Sequence, residues 1–197
     1  MAAKSLTSGS RSASLLLGRV PEHHVLLGSV TVGAGGAANV TFSSIPQGFQ
    51  HLQIRGILRG SGSDSGGDHA LIRFNGDTTN GNYTEYHFVT GNGATALSSA
   101  AYGGSRSWLG VSFPNNTNAA TGIFGGFICD ILDYTSTTKN KTLRTLSGGD
   151  RNGSGTVSLL SSLWRPGTPA AITSLSIFMY LDTTIQQYSR FDLYGIA

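Results

Sequence analysis

Charged residues are scarce in this chain. Asp, Glu, Lys and Arg together make up 12% of its 197 residues, against about 25% in an average globular protein. Thirteen basic and ten acidic side chains leave a formal net charge of +3, and no run of Lys or Arg with interleaved aromatic residues occurs. The sequence therefore favours neither a chain disordered by its charge nor a surface that binds nucleic acid directly.

Cysteine is almost absent as well, since Cys129 is the single one. One cysteine excludes an internal disulfide bond and most cysteine-based metal sites. Cys129 lies in the apolar run FGGFICDIL, where we expect a small buried side chain and not a reactive thiol. Long hydrophobic runs are also missing, because Leu15–Leu17 is too short for a signal sequence and no segment is long enough to cross a membrane.

Glycine is abundant, with 28 residues, and it is accompanied by many Ser, Thr and Asn residues. This composition is typical of short strands joined by many turns. About nine or ten such strands can be recognised, and no segment has the apolar spacing of an amphipathic helix. We therefore predict an all-β fold, an antiparallel β-sandwich of jelly-roll-like topology at residues 25–197, preceded by an extended N-terminal arm at residues 1–24.

The last 27 residues, from Ala171 to Ala197, carry the clearest strand pattern. Thr173, Leu175, Ile177, Met179 and Leu181 form a mostly apolar set that alternates with more mixed neighbours, and Phe191 and Leu193 alternate in the same way, so we expect these side chains to face the core. The polar residues 182–184 lie between the two strands and are typical of a turn. This pattern predicts a closing hairpin.

Three further segments bear on the sheet arrangement. IFGGFICDILDY is so continuously apolar that we place it in the centre of the sandwich with both faces buried. KNKTLRTLSGGD and GTVSLLSSLW, joined by a polar, glycine-containing turn, predict a hairpin. NYTEYHFVTGNG is compatible with a strand or with one helical turn, and the local sequence does not decide between them.

The N-terminal arm combines small and polar residues with a few basic and apolar side chains. We expect an arm of this composition to dock on a neighbouring subunit or a partner, while an arm folded back on its own domain is the alternative. The candidate partner-binding residues of the arm are Lys4, Arg11, Leu15, Leu16, Leu17 and Arg19.

Candidate chemistry is sparse in the sequence. Asp130 and Asp133 could form a carboxylate pair, but at the end of a strand a carboxylate ordinarily caps backbone groups. The five histidines lack the spacing of metal ligands, so we expect no cofactor and no metal. Aromatic rings and short polar side chains can together bind a sugar. The same residues could instead fill a core or a subunit interface. The possible glycan-binding residues are Asn75, Asp77, Asn82, Tyr83, Tyr86 and Trp108.

Three stretches together resemble small Gly/Ser-rich structural proteins encoded among the virion genes of tailed bacteriophages. They are IPQGFQHLQIRG, the long stretch from IFGGFICDILDY to GTVSLLSSLW, and the closing ITSLSIFMYLDTTIQQYSRFDLYGI. The resemblance covers roughly residues 51–197 and does not include the arm. It implies a virion component built as a β-sandwich, and not an enzyme.

These observations lead to one expected function and one alternative. We expect a capsid decoration (cement) protein, a homotrimer that is assembled in the host bacterial cytoplasm and bound to the major capsid protein or another virion protein through its arm. Nucleic acid and membrane are not expected partners. The alternative is a tail-associated receptor-binding or fibre module that binds host surface glycan. The resemblance does not distinguish shell from tail.

Overall fold

The computed structural model describes residues 23–62, 68–91, 95–112, 122–150, 155–181 and 183–197, and for residues 85–88, 97, 99–105 and 112 it describes the backbone alone. Every regular element in these residues is a β-strand. The strands are β1 (His24–Thr31), β2 (Asn39–Phe42), β3 (His51–Leu58), β4 (Ala70–Phe74), β5 (Tyr83–Gly91), β6 (Ala96–Arg106), β7 (Leu109–Ser112), β8 (Gly125–Ile131), β9 (Lys141–Asp150), β10 (Gly155–Trp164), β11 (Leu175–Met179) and β12 (Arg190–Ile196).

The strands form two antiparallel sheets, in the orders β1-β12-β3-β8-β9-β10-β5-β6 and β2-β11-β4-β7. Eight of them pair as a folded ribbon, first with last: β1 with β12, β2 with β11, β3 with β8 and β4 with β7. Wrapping this ribbon gives the two sheets of a jelly roll. The predicted all-β sandwich of jelly-roll-like topology is therefore confirmed.

Two hairpins are added to this jelly roll. The pair β5–β6 lies between β4 and β7 in the chain, and the pair β9–β10 lies between β8 and β11. Both pairs continue the larger sheet beyond β8, in the order β9, β10, β5, β6. The larger sheet is thus twice as wide as the smaller one, and β7 at the edge of the smaller sheet contacts β8, β9, β10 and β5.

The core lies between the two sheets and is built by alternation along the strands. In β11, Leu175, Ile177 and Met179 are buried, and in β12 Phe191 and Leu193 are buried, as the sequence predicts. Leu181, which was predicted to share this face, lies beyond the end of β11 and is 45% exposed. Aromatic rings fill one end of this core, where the ring centroid of Trp164 lies 5.4 Å from that of Phe74 and 6.4 Å from that of Tyr83. Cys129 is fully buried, as expected, and burial raises the pKa of its thiol to about 12.

The predicted closing hairpin is wrong, although its two strands are right. β11 pairs with β2 and β4 in the smaller sheet, whereas β12 pairs with β1 and β3 in the larger sheet. Between them the chain crosses from one sheet to the other, and Ile185 forms bridges to Ala37 and Gly60 on the way. Period-two alternation specifies which side chains face the core but not which strand is the neighbour.

The other segments have mixed outcomes. NYTEYHFVTGNG forms the strand β5, and the predicted hairpin of KNKTLRTLSGGD with GTVSLLSSLW is confirmed by the pairing of β9 with β10. The FGGFICDIL run forms β8 in the middle of the larger sheet, as predicted, but only one of its faces is buried. Phe127, Cys129 and Ile131 face the core, while Ile128 points outward and is 44% exposed.

Candidate functional site

Six exposed aliphatic side chains lie together on the outer face of the larger sheet. Four of them are direct cross-strand neighbours, since Ile128 of β8 is opposite Leu146 of β9, Leu146 is opposite Leu159 of β10, and Leu159 is opposite Val89 of β5. The six residues are between 44 and 60% exposed. We call this set the apolar face, and its members are Ile57, Val89, Ile128, Leu146, Val157 and Leu159.

A second row beside the first makes the apolar face concave. Its register runs from Ile57 of β3 through Gly126 of β8 and Gly148 of β9 to Val157 of β10. The two glycines have no side chain between the flanking Ile57 and Val157, so the surface is lower there. The resulting depression has a volume of about 600 Å³ and includes Leu146 and Ile128 in its lining.

Around Leu146 in β9 and Leu159 in β10, the side chains are placed in reverse of the usual order, although Leu143 and Leu160 of the same strands are buried. An antiparallel sheet with one wet face normally directs apolar residues inward and polar residues outward. Here Ser147 and Ser158, which are opposite each other in the register, are buried, and the neighbouring Leu146 and Leu159 are more than half exposed. The hydroxyl of Ser158 donates a hydrogen bond to Oγ1 of Thr90 at 3.2 Å. In this part of the sheet, the outer face is therefore the more apolar one.

A polar border runs along the apolar face on β12 and β3. Nε of Arg190 donates to Oδ1 of Asp192 at 3.1 Å, and Nε of Arg55 donates to Oε1 of Gln53 at 2.7 Å. The guanidinium of Arg55 also lies 4.9 Å from the ring centroid of Tyr194. An apolar centre beside a satisfied polar rim is the usual anatomy of a protein–protein interface.

The apolar face is suited to packing, since its six side chains carry no acid, base or nucleophile. Elsewhere in the described part of the chain, no group of three or more His, Cys, Asp or Glu residues could hold a metal ion. Asp130 and Asp133 belong to separate contacts, because Asp130 accepts from Gln53 at 2.8 Å and Asp133 pairs with Lys139 at 3.0 Å. Among residues with described structure, no helix has the length and apolarity to traverse a lipid bilayer.

Three of the possible glycan-binding residues form a structural network. Oδ2 of Asp77 accepts hydrogen bonds from Nε1 of Trp164 at 2.8 Å and from Nδ2 of Asn82 at 2.9 Å. The Tyr83 hydroxyl donates to the backbone oxygen of Asp77 at 3.0 Å. Tyr83 itself is fully buried, and this burial raises the pKa of its hydroxyl. Its ring is therefore not available to stack on a sugar, and Asp77 instead fastens the turn after β4 to the core.

Asn75 also has a structural role. Its backbone φ is 51°, in the left-handed region that Asn tolerates in turns. Its side chain links this turn to the segment before β11, since Nδ2 donates to the oxygen of Ala171 at 2.8 Å and Oδ1 accepts from the backbone nitrogens of Thr173 at 2.9 Å and Ser174 at 3.2 Å. Asn75 and Asp77 therefore act at the same turn through different partners.

Among the glycan candidates whose side chains the structure describes, Trp108 is the one that lies in an aromatic surface cluster. Tyr180 meets it edge-on, with ring centroids 5.2 Å apart, and the guanidinium of Arg106 lies 4.8 Å from the Trp108 ring centroid. His69 extends the cluster, 5.9 Å from Tyr180. The backbone of Tyr86 lies in β5, but its side chain is outside the described residues, as are the arm residues Lys4, Arg11, Leu15, Leu16, Leu17 and Arg19.

Sequence patterns did not predict the apolar face. Its members lie on five strands, and each contributes a single aliphatic residue to an ordinary alternating pattern except β10, which contributes two. A signal was present in TLRTLSGG and TVSLLSSL, where hydroxyl residues alternate with leucine or valine and neither set is marked as the inner one. The partners Tyr180 and His69 of Trp108 were missed because they are distant in the chain.

Comparison of the chain with protein-family models, with curated protein sequences and with solved structures found no match.

Proposed function

We propose that this chain is a structural subunit of a bacteriophage virion, and specifically a capsid decoration protein that stabilises the outer shell. In this proposal the chain performs no catalysis, associates with further copies of itself, and is held on the major capsid protein by its N-terminal arm. The observation that carries the proposal is the apolar face, because an exposed contiguous apolar patch bordered by polar residues marks a protein interaction site.

The fold and the sequence resemblance support the same function. Jelly rolls serve as capsid domains and as lectins, so the fold is compatible with the proposal but does not select it. The resemblance to phage virion proteins favours a virion component of either shell or tail, and the apolar face favours a subunit that is buried against other subunits. A low share of charged residues is also compatible with extensive burial in an assembly.

Deletion of the N-terminal arm tests whether the arm attaches the protein to the capsid shell. Removing residues 2–20 should leave a folded domain, because β1 begins at His24, and this variant should no longer co-sediment with capsid shells. Salt should weaken binding of the full chain if Lys4, Arg11 and Arg19 meet an acidic shell surface. A variant with Leu15–Leu17 replaced by serine serves as the comparison. If binding does not depend on salt concentration but is lost in this variant, attachment is through apolar contacts. Undiminished sedimentation of the deletion variant would reject the arm as the attachment segment.

A tail-associated glycan-binding module is the second candidate, and the cluster of Trp108, Tyr180 and His69 favours it. Aromatic rings beside polar groups can stack on the C–H face of a sugar. Copy number separates the two functions, because we expect a decoration protein to cover the shell in far more copies than a receptor-binding module of the tail. Gel densitometry of purified virions, with the major capsid protein and a tail protein as internal standards, should give a copy number per virion close to that of the capsid protein. A copy number close to that of the tail protein would favour the second candidate.

A further inference from the structure

We propose that the apolar face is the contact between copies of this chain, so that the face of one subunit packs against the same face of another. The proposal goes beyond virion membership and stands independently of it. It assigns an occupant to the surface formed by Ile57, Val89, Ile128, Leu146, Val157 and Leu159.

The size of the face fits a contact between identical subunits. A standard interface buries about 800 Å² per partner, and interfaces in homodimers are about 65% apolar, so each subunit must contribute roughly 500 Å² of apolar surface. Six aliphatic residues that are 44 to 60% exposed present roughly that area, at the upper end of the range of about 300–600 Å² for the largest patch of a monomer. The face is thus large enough to be the apolar centre of such an interface.

The arrangement of side chains is self-complementary. The main row reads Ile128, Leu146, Leu159, Val89 across β8, β9, β10 and β5. A second copy can be placed over the face by a two-fold rotation about an axis that lies between the subunits and runs parallel to β9 and β10, midway between them. This rotation places Leu146 of one copy opposite Leu159 of the other, and Ile128 of one copy opposite Val89 of the other. Contacts that are repeated in this way characterise an isologous interface. Each large side chain then meets an aliphatic partner, as in the packing of two sheets.

The charges at the border are compatible with this pairing. Arg55, Arg190 and Asp192 lie on β3 and β12, at one end of the row, and the opposite end is β5. The same rotation brings the charged end of one subunit beyond Val89 of the other, near the edge strand β6, so the arginines of the two copies do not face each other. Like charges brought together would oppose association.

The shell protein and the arm are the other possible occupants. The basic residues Arg11 and Arg19 flank the arm leucines within four residues on either side, and the border of the face already carries Arg55 and Arg190. An arm laid along the face would bring charges of the same sign together at that end. A second copy brings no such conflict for Arg55 or Arg190, and the exposed Arg144 of β9, which is opposite Ser161 of β10 in the register, would face Ser161 of the second copy. We therefore commit to a second copy, and the shell protein is an outcome of the test.

The test is the mass of the full-length protein in solution, measured by light scattering during size-exclusion chromatography from about 1 to 100 µM. The wild type should form a dimer, because a two-fold contact of one face with itself closes with two subunits. A trimer, which the sequence led us to expect, would contradict this contact. Leu146→Glu and Leu159→Glu should each raise its dissociation constant by roughly 100-fold or more, because the interface would bury an unpaired carboxylate. Leu26→Glu is the matched control. Leu26 is 52% exposed, as Leu146 is, and it also lies on the outer face of the larger sheet, but on β1, away from the apolar face. The control should keep the oligomer intact.

Folding of each variant is checked by circular dichroism and by its unfolding midpoint. If a glutamate variant does not fold, Leu146→Thr and Leu159→Thr replace it, since threonine retains the preference for a strand while removing apolar surface. A monomeric wild type at 100 µM, or an oligomer that the face variants and Leu26→Glu affect equally, would overturn the proposal. A monomeric wild type whose face variants lose only shell binding would reassign the face to the shell protein.

Discussion

Asp77 illustrates how one carboxylate can hold a turn against the core. Burial alone would raise the pKa of this carboxyl, but the hydrogen bonds from Asn82, Trp164 and Thr79 outweigh burial and hold the pKa below its ordinary value of 3.8. The folded state therefore binds a proton less readily than the unfolded chain does. The stabilisation is complete above the ordinary pKa and is lost as the pH falls through the lower folded value.

Replacing Asp77 by Asn should destabilise the fold at pH 7 by about 1–3 kcal/mol, because an amide cannot accept at both of its polar atoms and a donor would be left unsatisfied. The free energy of unfolding in urea, followed by tryptophan fluorescence from pH 7 to pH 3, measures this. The wild type should lose stability on acidification more steeply than Asp77→Asn.

Asp192→Asn is the control for that experiment. Asp192 pairs with Arg190 at the surface, where an ion pair contributes about 0–1 kcal/mol, so this variant should follow the wild type closely. Equal acid sensitivity of the wild type and Asp77→Asn would show that Asp77 is not the group that titrates.

At the scale of the strand, Gly56 and Gly126 offer a matched pair of neighbours with opposite surroundings. Both lie in the ladder of β3 with β8. A Cβ added to Gly56 would lie 2.3 Å from Cε1 of Phe127, within the core, whereas a Cβ on Gly126 would find its nearest atom, the oxygen of Gly56, at 3.8 Å. Glycine is thus required on the inner side of this ladder and is not required on the outer side.

Gly56→Ala should therefore destabilise the protein by about 1–3 kcal/mol through overpacking against Phe127. Gly126→Ala should leave the stability unchanged or raise it by up to about 1 kcal/mol, because alanine restricts the unfolded chain. Thermal or urea unfolding of the two variants beside the wild type checks the difference. A loss of similar size in both variants would mean that Phe127 can move away from Gly56.

Sequence patterns predicted the direction of side chains better than the partners of strands. The alternation of Leu175, Ile177 and Met179 was sufficient to identify their buried face, since a strand has a period of two. It could not exclude a hairpin with β12, because the choice between two sheets depends on contacts with β2 and β4, more than a hundred residues away in the chain.

The glycan candidates show the same limit. Asn75, Asp77 and Asn82 are residues that favour turns, and a turn can present them to a ligand or use them to satisfy its own backbone. The deciding partners are Trp164 and the segment around Thr173, which local reasoning could not bring to the turn. Around Leu146 of β9 and Leu159 of β10, the alternation was visible but its polarity was inverted, so the exposed face could not be predicted there from hydrophobicity.

On the scale of the whole molecule, β12 holds the larger sheet together. It lies between β1 and β3 and pairs with both, and its Phe191 and Leu193 are buried. Deleting residues 190–197 should therefore abolish cooperative unfolding, as judged by circular dichroism and urea titration. The deletion of residues 2–20 is the control, because it also removes one end of the chain but none of the described strands. This variant should keep a cooperative transition. A cooperative transition without β12 would show that the remaining strands form a stable core by themselves.

The pairing of β12 with β1 also determines when the fold can form during synthesis. Among the described strands, β1 is translated first and β12 last. The neighbours of β12 in the sheet, β1 and β3, therefore stay unpaired on that side until β12 is translated, whereas the hairpin β9–β10 can already form from local contacts. Folding that depends on such distant contacts is slow, and a nascent chain in this state exposes Leu146 and Leu159 together with unpaired strand edges. The period between translation of β10 and completion of β12 is therefore when this protein is most prone to aggregate, and slower production at low temperature should improve its soluble yield.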